Sequence, residues 1–217
     1  MKKIFVYDTN NGTFEVFHIE NNAIMPYVAD AYLTANQFAP TSDIAWTTKQ
    51  AMQAYSKTKH INPTVQVQSA FHRTSERTWI NASTHVAGVG FSLVCAPSMT
   101  YETLYRLLRR EDIWNTISDV EHTINYLHVD MAYLPPASEY TRYPIVRPGD
   151  SNTYVLTLQD ALITLGYLDE ERLAGIYDEI TEEMVKKMQG NAGVSADGIV
   201  GAVTWDIIVM EINKLLL

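Results

Sequence analysis

Apolar and polar positions along the first part of the chain predict a β-hairpin, then a helix and then a strand. Apolar residues alternate over 4–6 and again over 14–18, and the turn-forming sequence 8–12 lies between the two runs. Segment 46–59 lacks Gly and Pro and carries apolar residues among polar ones, which favours a helix. Segment 64–71 reads as a strand.

Two further elements are predicted before residue 133. Thr100 is a suitable N-cap, Glu102 lies in the first turn after it, and apolar residues follow helical spacing over 101–108, so we expect a helix here. Segment 124–131 is apolar and alternating, which indicates a strand that carries His128. The first part of the chain therefore contains both helices and strands.

Clusters of proline and glycine divide the chain. They occur at 133–138 and again at 147–150, and we place a linker at 134–142. The expected domains are 1–133 and 143–217. The chain length of 217 residues is comfortable for two domains, since domains cluster at roughly 100–150 residues.

The apolar spacing after the linker predicts three helices. The first follows residues 155–165 and ends at Gly166, where a helix C-terminus is expected. The second includes 184–188, and the third runs over 205–216.

An internal repeat links these predicted helices. Segments 175–181 and 198–204 share Gly, Ile and Thr at equal offsets, 23 residues apart. Each segment is predicted to be a tight turn that leads into a helix. Two such matches in the same register indicate a repeated structural unit.

The charge distribution narrows the classes of partner. The net charge is −9, and residues 143–217 carry 12 Asp and Glu against 5 Lys and Arg, a net of −7. Nucleic-acid binding requires Lys and Arg concentrated on one face, so no nucleic-acid partner is expected. An acidic domain would repel a polyanion but not an uncharged glycan or a short peptide.

The sequence also argues against a membrane segment, an export signal and a cysteine-based site. There is no run of about 18 apolar residues, so neither a transmembrane helix nor a membrane partner is expected. The N-terminal segment 1–8 is too short for a signal-peptide core, so we expect no export signal in this chain. Cys95 is the only cysteine, which rules out an internal disulfide and a zinc site made of thiolates.

The C-terminal residues resemble a known family of wall-binding domains. The most specific block is 197–201 with Thr204 and Trp205, although Ala174 and Asp178 depart from the family pattern. Residues 143–217 are similar to the all-α, three-helix peptidoglycan-binding domain found in bacterial and phage wall hydrolases, which implies peptidoglycan as the partner. Most matching residues are expected in the core, and the candidates for contact with peptidoglycan are Tyr177, Asp197 and Gln159.

Two histidine motifs carry a second resemblance. Segments 83–92 and 127–130 resemble the zinc motifs of the D-alanyl-D-alanine peptidases, a family of carboxypeptidases, dipeptidases and phage endolysins that cut peptidoglycan stem peptides. The resemblance covers about residues 1–133. It implies an α+β fold with a small antiparallel sheet and helices, and zinc as the cofactor. By the same resemblance, His85, Ser92 and His128 occupy the metal positions and Arg73 is the counterpart of an arginine that binds the substrate carboxylate.

The predicted zinc site departs from the family pattern at two positions. Ser92 stands where the family has a zinc-binding aspartate, and an uncharged hydroxyl is a poor zinc ligand at neutral pH. Asn125 stands where active relatives often have an acidic residue, and an amide cannot accept a proton from zinc-bound water. Asp130 follows His128 by two residues on the same strand face and is available as a substitute ligand or base.

These observations leave three functions open. The first is a peptidoglycan-binding protein whose peptidase-like domain is catalytically impaired. The second is an active zinc peptidase that cuts stem peptides near D-Ala. The third is a structural component of a phage tail or a similar cell-wall assembly. In each case the protein is expected to act at the bacterial cell wall, either phage-encoded or released by lysis.

Overall fold

A computed structural model describes residues 1–28, 32–76, 83–118 and 125–217, with the side chain of Ser83 excepted. The chain forms two compact units. The first comprises 1–72 and 88–133, and the second comprises 73–87 and 134–217. Segment 73–87 and the predicted linker 134–142 both belong to the unit of the C-terminal helices. The predicted boundaries 1–133, 134–142 and 143–217 stay a prediction.

The first unit contains two small sheets and several helices. One sheet has the strand order β2-β1-β3, and the other has the order β4-β5-β7-β6. The strands are β1 (Lys2–Asp8), β2 (Thr13–Ile19), β3 (Ile44–Thr48), β4 (Gln66–Ser69), β5 (Gly90–Val94), β6 (Thr116–Ile117) and β7 (Leu127–Asp130). The helices of this unit are α1 (Ala35–Phe38), α2 (Lys49–Ile61) and α4 (Tyr101–Arg110).

The predicted mixture of helices and small sheets is confirmed, but the first sheet is not wholly antiparallel. Strand β1 pairs with β2 antiparallel and with β3 parallel. The predicted helix over 46–59 begins only at Lys49, because Thr48 caps it with its side chain and residues 44–48 form β3. Trp46 is fully buried in that strand. Sequence alternation reports which face a residue occupies and not the direction of the neighbouring strand.

The predicted hairpin is present, and Asp8 holds its turn. The Asp8 carboxylate accepts hydrogen bonds from the backbone N–H of Asn10 at 3.0 Å and from the Gln50 amide at 2.8 Å. Lys49 Nζ lies 3.0 Å from the same carboxylate. The hydrogen bonds from Gln50 and Lys49 lower the pKa of Asp8 to about 2, so this carboxylate stays ionised and keeps the turn in place.

The core of the first unit lies on one face of the second sheet. Phe91 of β5 stacks on Tyr55 of α2 with ring centroids 5.6 Å apart, and it lies 5.5 Å from the ring of Trp114. Successive side chains of a strand point to opposite faces. Residues 92 and 128, which alternate with buried apolar neighbours, therefore lie on the opposite face of the sheet.

The second unit contains the three predicted helices and one short helix before them. Asn152 caps the first long helix by accepting from the N–H groups of Tyr154 and Val155, and Asp178 caps the second through Thr181 N–H at 2.9 Å. The helices are α3 (Ser83–Val86), α5 (Thr153–Thr164), α6 (Glu179–Asn191) and α7 (Ala202–Leu216), with a 3₁₀ helix at Glu170–Arg172.

Trp205 anchors the core of the second unit. Its side chain is fully buried, and its indole N–H donates to the carbonyl oxygen of Pro144 at 2.7 Å. The ring of Tyr143 lies 4.5 Å from the ring of Trp205. The prediction that Trp205 serves the core is therefore confirmed.

Segment 73–87 is attached to α5 by polar groups. Asp160 accepts from the Thr74 N–H at 2.7 Å and from the Arg73 guanidinium at 2.5 Å. Thr157, three residues earlier on the same helix face, donates to the carbonyl oxygen of Val86 at 3.3 Å. These contacts explain why the segment belongs to the second unit. Within the part of the chain that the structure describes, no helix is long and apolar enough to cross a membrane.

Candidate functional site

Gln159 of α5 holds the first of the two repeated turns. Its amide nitrogen donates to the carbonyl oxygen of Ile176 at 2.9 Å and to the Thr181 hydroxyl at 3.2 Å. Its amide oxygen accepts from the N–H groups of Ala174 at 3.1 Å and Gly175 at 2.9 Å. One buried side chain therefore binds both sides of the turn.

Gln189 of α6 holds the second turn in the same way. Its amide nitrogen donates to the carbonyl oxygen of Ile199 at 3.0 Å and to the Thr204 hydroxyl at 3.2 Å. Its amide oxygen accepts from Gly198 N–H at 2.9 Å. The internal repeat of the sequence is thus a duplicated arrangement of a glutamine, a Gly-Ile turn and a threonine.

The three residues predicted to contact peptidoglycan all belong to this arrangement. Gln159 and Tyr177 are buried, and the Tyr177 hydroxyl donates to the carbonyl oxygen of Gly198 at 2.7 Å, which joins the two turns. Asp197 accepts from Ile199 N–H at 2.9 Å, and this backbone hydrogen bond together with that from Gln189 lowers the pKa of Asp197. Their polar groups thus hold the fold, and their contact with a ligand stays a prediction.

A groove in the second unit lies where the end of α5 meets α6 and α7. Its volume is about 400 Å³, which lies in the range of about 300–1,000 Å³ that is usual for ligand sites. The groove residues on α6 are spaced three and four apart, as are most of those on α7, so each set shares one helix face. The residues that line the groove include Leu165, Tyr167, Met188, Asn191, Ile207, Glu211, Lys214 and Leu215.

Polar groups converge on this largely apolar groove. The Asn191 amide donates to the Tyr167 hydroxyl at 3.0 Å. Lys214 Nζ donates to the Glu211 carboxylate at 2.7 Å, and both side chains are about half exposed, at 59% and 42%. Lys214 and Glu211 can form further hydrogen bonds, because an ammonium has three donors and a carboxylate has two acceptor oxygens.

Sequence reasoning missed this groove. Helical spacing on α6 and α7 identifies one face of each helix, but spacing does not show which faces meet. Tyr167 is not among the residues predicted to contact peptidoglycan. The signal that could have found it is a polar aromatic residue directly after the helix-ending Gly166.

On the second sheet of the first unit, three residues of the predicted zinc site lie together. Ser92 of β5 pairs with His128 of β7 in the strand register, so the two side chains lie side by side on one face. His128 Nε2 lies 3.6 Å from the Asp130 carboxylate, which also accepts from Ala132 N–H at 3.0 Å. The same register places Ser69 beside Ser92, and the Ser69 hydroxyl lies 2.6 Å from the ring of His72.

The other predicted residues belong to other elements of the chain. His85 is buried on α3, a segment of the second unit. The carbonyl oxygen of Asn125 accepts from the Tyr101 hydroxyl. Arg73 contacts Asp160 at 2.5 Å and Glu170 at 3.0 Å, so its guanidinium forms salt bridges with both carboxylates. Its binding of a substrate carboxylate stays a prediction.

The donors on the sheet do not fit a complete zinc site. A catalytic zinc requires three protein ligands and an open position, whereas the sheet offers one imidazole and one carboxylate beside the Ser92 hydroxyl. Among the described residues, no three His, Cys, Asp or Glu side chains form a metal-binding group. We therefore derive no chemical step through zinc.

Comparison with known proteins adds one family match. Residues 151–208 match the family model described as "Putative peptidoglycan binding domain". A solved structure, a peptidoglycan-binding protein from Clostridioides difficile in complex with glutamine hydroxamate, is 32% identical with a TM-score of 0.31. The similarity covers 34% of this chain and 45% of that chain, so it spans less than half of the related protein. A search of curated proteins gave no match.

The family match confirms the resemblance predicted for the C-terminal part of the chain. It begins just before α5 and ends within α7, and it includes both repeated turns. The resemblance of residues 1–133 to the zinc peptidases stays a prediction.

Proposed function

We propose that this protein binds peptidoglycan through its second unit and so associates with the bacterial cell wall. The observation that carries the proposal is the family match over 151–208. The matched residues include Gln159 and Gln189, which bind the two repeated turns. The matched range therefore spans both repeated turns and the two glutamines that hold them.

The groove is the part of this unit best suited to contact the ligand. Its apolar residues can cover methyl and methylene groups, while Tyr167, Asn191, Glu211 and Lys214 supply hydrogen bonds at its rim. Ligand sites are commonly apolar clefts with a few polar groups that set orientation. The acidic surroundings also favour a wall polymer that is not strongly anionic.

Blocking the groove is expected to weaken binding to purified insoluble peptidoglycan. Leu215 is 60% exposed and lines the groove, so Leu215→Glu would place a charge where apolar contact is expected. A leucine side chain that a ligand covers contributes about 1.5–3 kcal/mol to binding. Its loss corresponds to roughly 10–100-fold weaker binding in a co-sedimentation assay.

Met210→Glu is the matched control, because Met210 is an exposed apolar residue of the same helix. It lies outside the set that lines the groove, and it changes the net charge equally. Equal losses of binding in both variants would show that charge, and not the groove, governs the interaction.

For the first unit, we propose a role in recognition without cleavage. Its support is the row of Ser92, His128 and Asp130, in which a neutral hydroxyl lies beside the histidine. Losing even a second-shell partner of a metal typically costs about 10–100-fold in affinity or activity, and loss of a first-shell anion should cost more. The second candidate function is a zinc peptidase, which the 3.6 Å separation of His128 and Asp130 favours.

Zinc content separates these two functions. Protein purified without chelators or a metal-binding tag is expected to hold far less than one zinc per chain, because too few anionic or imidazole ligands meet on the sheet. Inductively coupled plasma mass spectrometry measures the ratio. About one zinc per chain, lost in His128→Ala and accompanied by cleavage of stem peptides, would establish the peptidase instead.

A further inference from the structure

We propose that the groove recognises the peptide portion of peptidoglycan, through a carboxylate that binds Lys214 and an ammonium group that binds Glu211. This inference rests on the proposed binding of peptidoglycan and assigns the ligand of that same site. The ligand class is a short peptide with aliphatic side chains and both charges, in contrast to the uncharged glycan backbone.

The groove carries a pair of opposite charges. Lys214 and Glu211 lie on consecutive positions of one face of α7, and their side chains contact each other at 2.7 Å. A neutral apolar ligand that covered the groove would remove water from this ion pair and leave its remaining donors and acceptors without partners, which is unfavourable. A peptide with an ammonium and a carboxylate supplies one partner to each, and hydrogen bonds between charged groups are stronger than neutral ones.

The apolar part of the groove also suits a peptide. Leu165, Met188, Ile207 and Leu215 contribute aliphatic side chains, which suit the methyl groups of alanine residues and the methylene chain of a diamino acid. Among the described residues that line the groove, Tyr167 is the only aromatic one, and its hydroxyl already accepts a hydrogen bond from Asn191. The lining therefore resembles a peptide site more than a row of aromatic surfaces for sugar rings.

The charge around the groove favours a ligand that carries both charges. Residues 143–217 carry a net charge of −7, so a simple anion is disfavoured close to this unit. An ammonium group on the ligand is attracted by the same field, and Lys214 provides a local cation for the carboxylate. A ligand with both charges fits these conditions better than a purely anionic wall polymer.

The test compares two soluble ligands with the full-length protein by isothermal titration calorimetry. The first is a synthetic stem peptide with a free ammonium and a free carboxylate, and the second is an uncharged glycan, an oligosaccharide of N-acetylglucosamine. Only the peptide is expected to bind. Lys214→Met and Glu211→Gln are each expected to weaken binding about fivefold at low salt, since a solvent-exposed charge pair contributes up to about 1 kcal/mol.

Acetylating the ammonium of the peptide provides an internal check. The acetylated peptide should bind the wild-type protein about fivefold more weakly, and Glu211→Gln should cause no further loss, since the partner of Glu211 is already neutral. Lys187→Met is the matched control for Lys214→Met, because Lys187 is an exposed lysine of α6 that does not line the groove. This control is expected to bind the peptide normally.

Other outcomes overturn the inference in distinguishable ways. Binding of the glycan but not of the peptide would refute the peptide assignment and leave the proposed function intact. If the protein binds insoluble peptidoglycan but neither soluble ligand, the role of the groove charges is refuted and the proposed function stands. The same conclusion follows if Lys214→Met and Lys187→Met weaken binding equally. Failure to bind insoluble peptidoglycan would refute the proposed function and the inference together.

Discussion

Replacing Asp160 with asparagine is expected to lower the free energy of unfolding by about 3–5 kcal/mol, since this removes one partner of a buried ion pair. Asp160 is 1% exposed. Burial raises the pKa of this carboxyl, and the charge of Arg73 opposes that rise. Asparagine would leave the Arg73 guanidinium without its buried counter-charge and would turn an amide N–H₂ group toward neighbouring donors.

Asp160→Asn should loosen the residues next to Asp160 as well as lower the stability of the whole unit. Asp160 accepts from both the N–H and the hydroxyl of Thr74, at 2.7 and 2.8 Å, so it fixes the backbone at the start of segment 73–87. In Asp160→Asn, residues 73–76 should become accessible to protease before the three-helix unit unfolds. Urea denaturation followed by circular dichroism measures stability, and limited proteolysis measures the release of these residues.

Glu170→Gln is the matched control, because Glu170 is the other carboxylate that contacts Arg73. Its side chain is 57% exposed, and its contact distance is 3.0 Å. Exposed ion pairs contribute about 0–1 kcal/mol, so this variant should lose less than about 1 kcal/mol. Similar losses in the two variants would show that burial of Asp160 is not what makes its contact with Arg73 important.

The contact between Arg73 and Asp160 could not be predicted from the sequence. Arg73 follows a predicted strand, and its resemblance to a family residue suggested a contact with substrate, but its partner lies 87 residues away. Periodicity reports the face of an element on which a residue lies, whereas long-range pairing is a property of the folded chain. The polar residues Thr157 and Asp160, three apart on α5, indicate a polar stripe without identifying what covers it.

Elements with local causes could be predicted. The hairpin follows from a turn between two alternating segments, and the three C-terminal helices follow from apolar spacing and glycine stops. The repeated Gly, Ile and Thr positions indicated a duplicated unit, but the glutamines that hold both turns lie 16 and 9 residues before the glycines that they bind. The unequal spacing hides the equivalence of Gln159 and Gln189 in the sequence alone.

Gly88→Ala is expected to destabilise the protein by more than about 4 kcal/mol, a loss that few single substitutions reach. Gly88 has a φ of +73°, and a Cβ atom there would lie 2.0 Å from the carbonyl oxygen of Trp46 and 3.0 Å from Thr47 Cα. The Thr47 hydroxyl donates to the Gly88 carbonyl oxygen at 2.7 Å, which holds the two backbones together. Because the obstructing atoms belong to the backbone, relief requires β3 or the start of β5 to move.

Gly193→Ala separates this steric effect from the backbone conformation. Gly193 has the same φ of +73°, but nothing lies within 4 Å of its Cβ position. Its substitution should cost only the left-handed conformation, about 1–2 kcal/mol. Urea denaturation of both variants gives the difference, and a difference below about 1 kcal/mol would mean that the strands yield at little cost. A larger difference in the free energy of unfolding would show that Gly88 has a structural role that does not depend on metal binding. That role is to let β3 approach the start of β5, the strand that carries Ser92 beside His128.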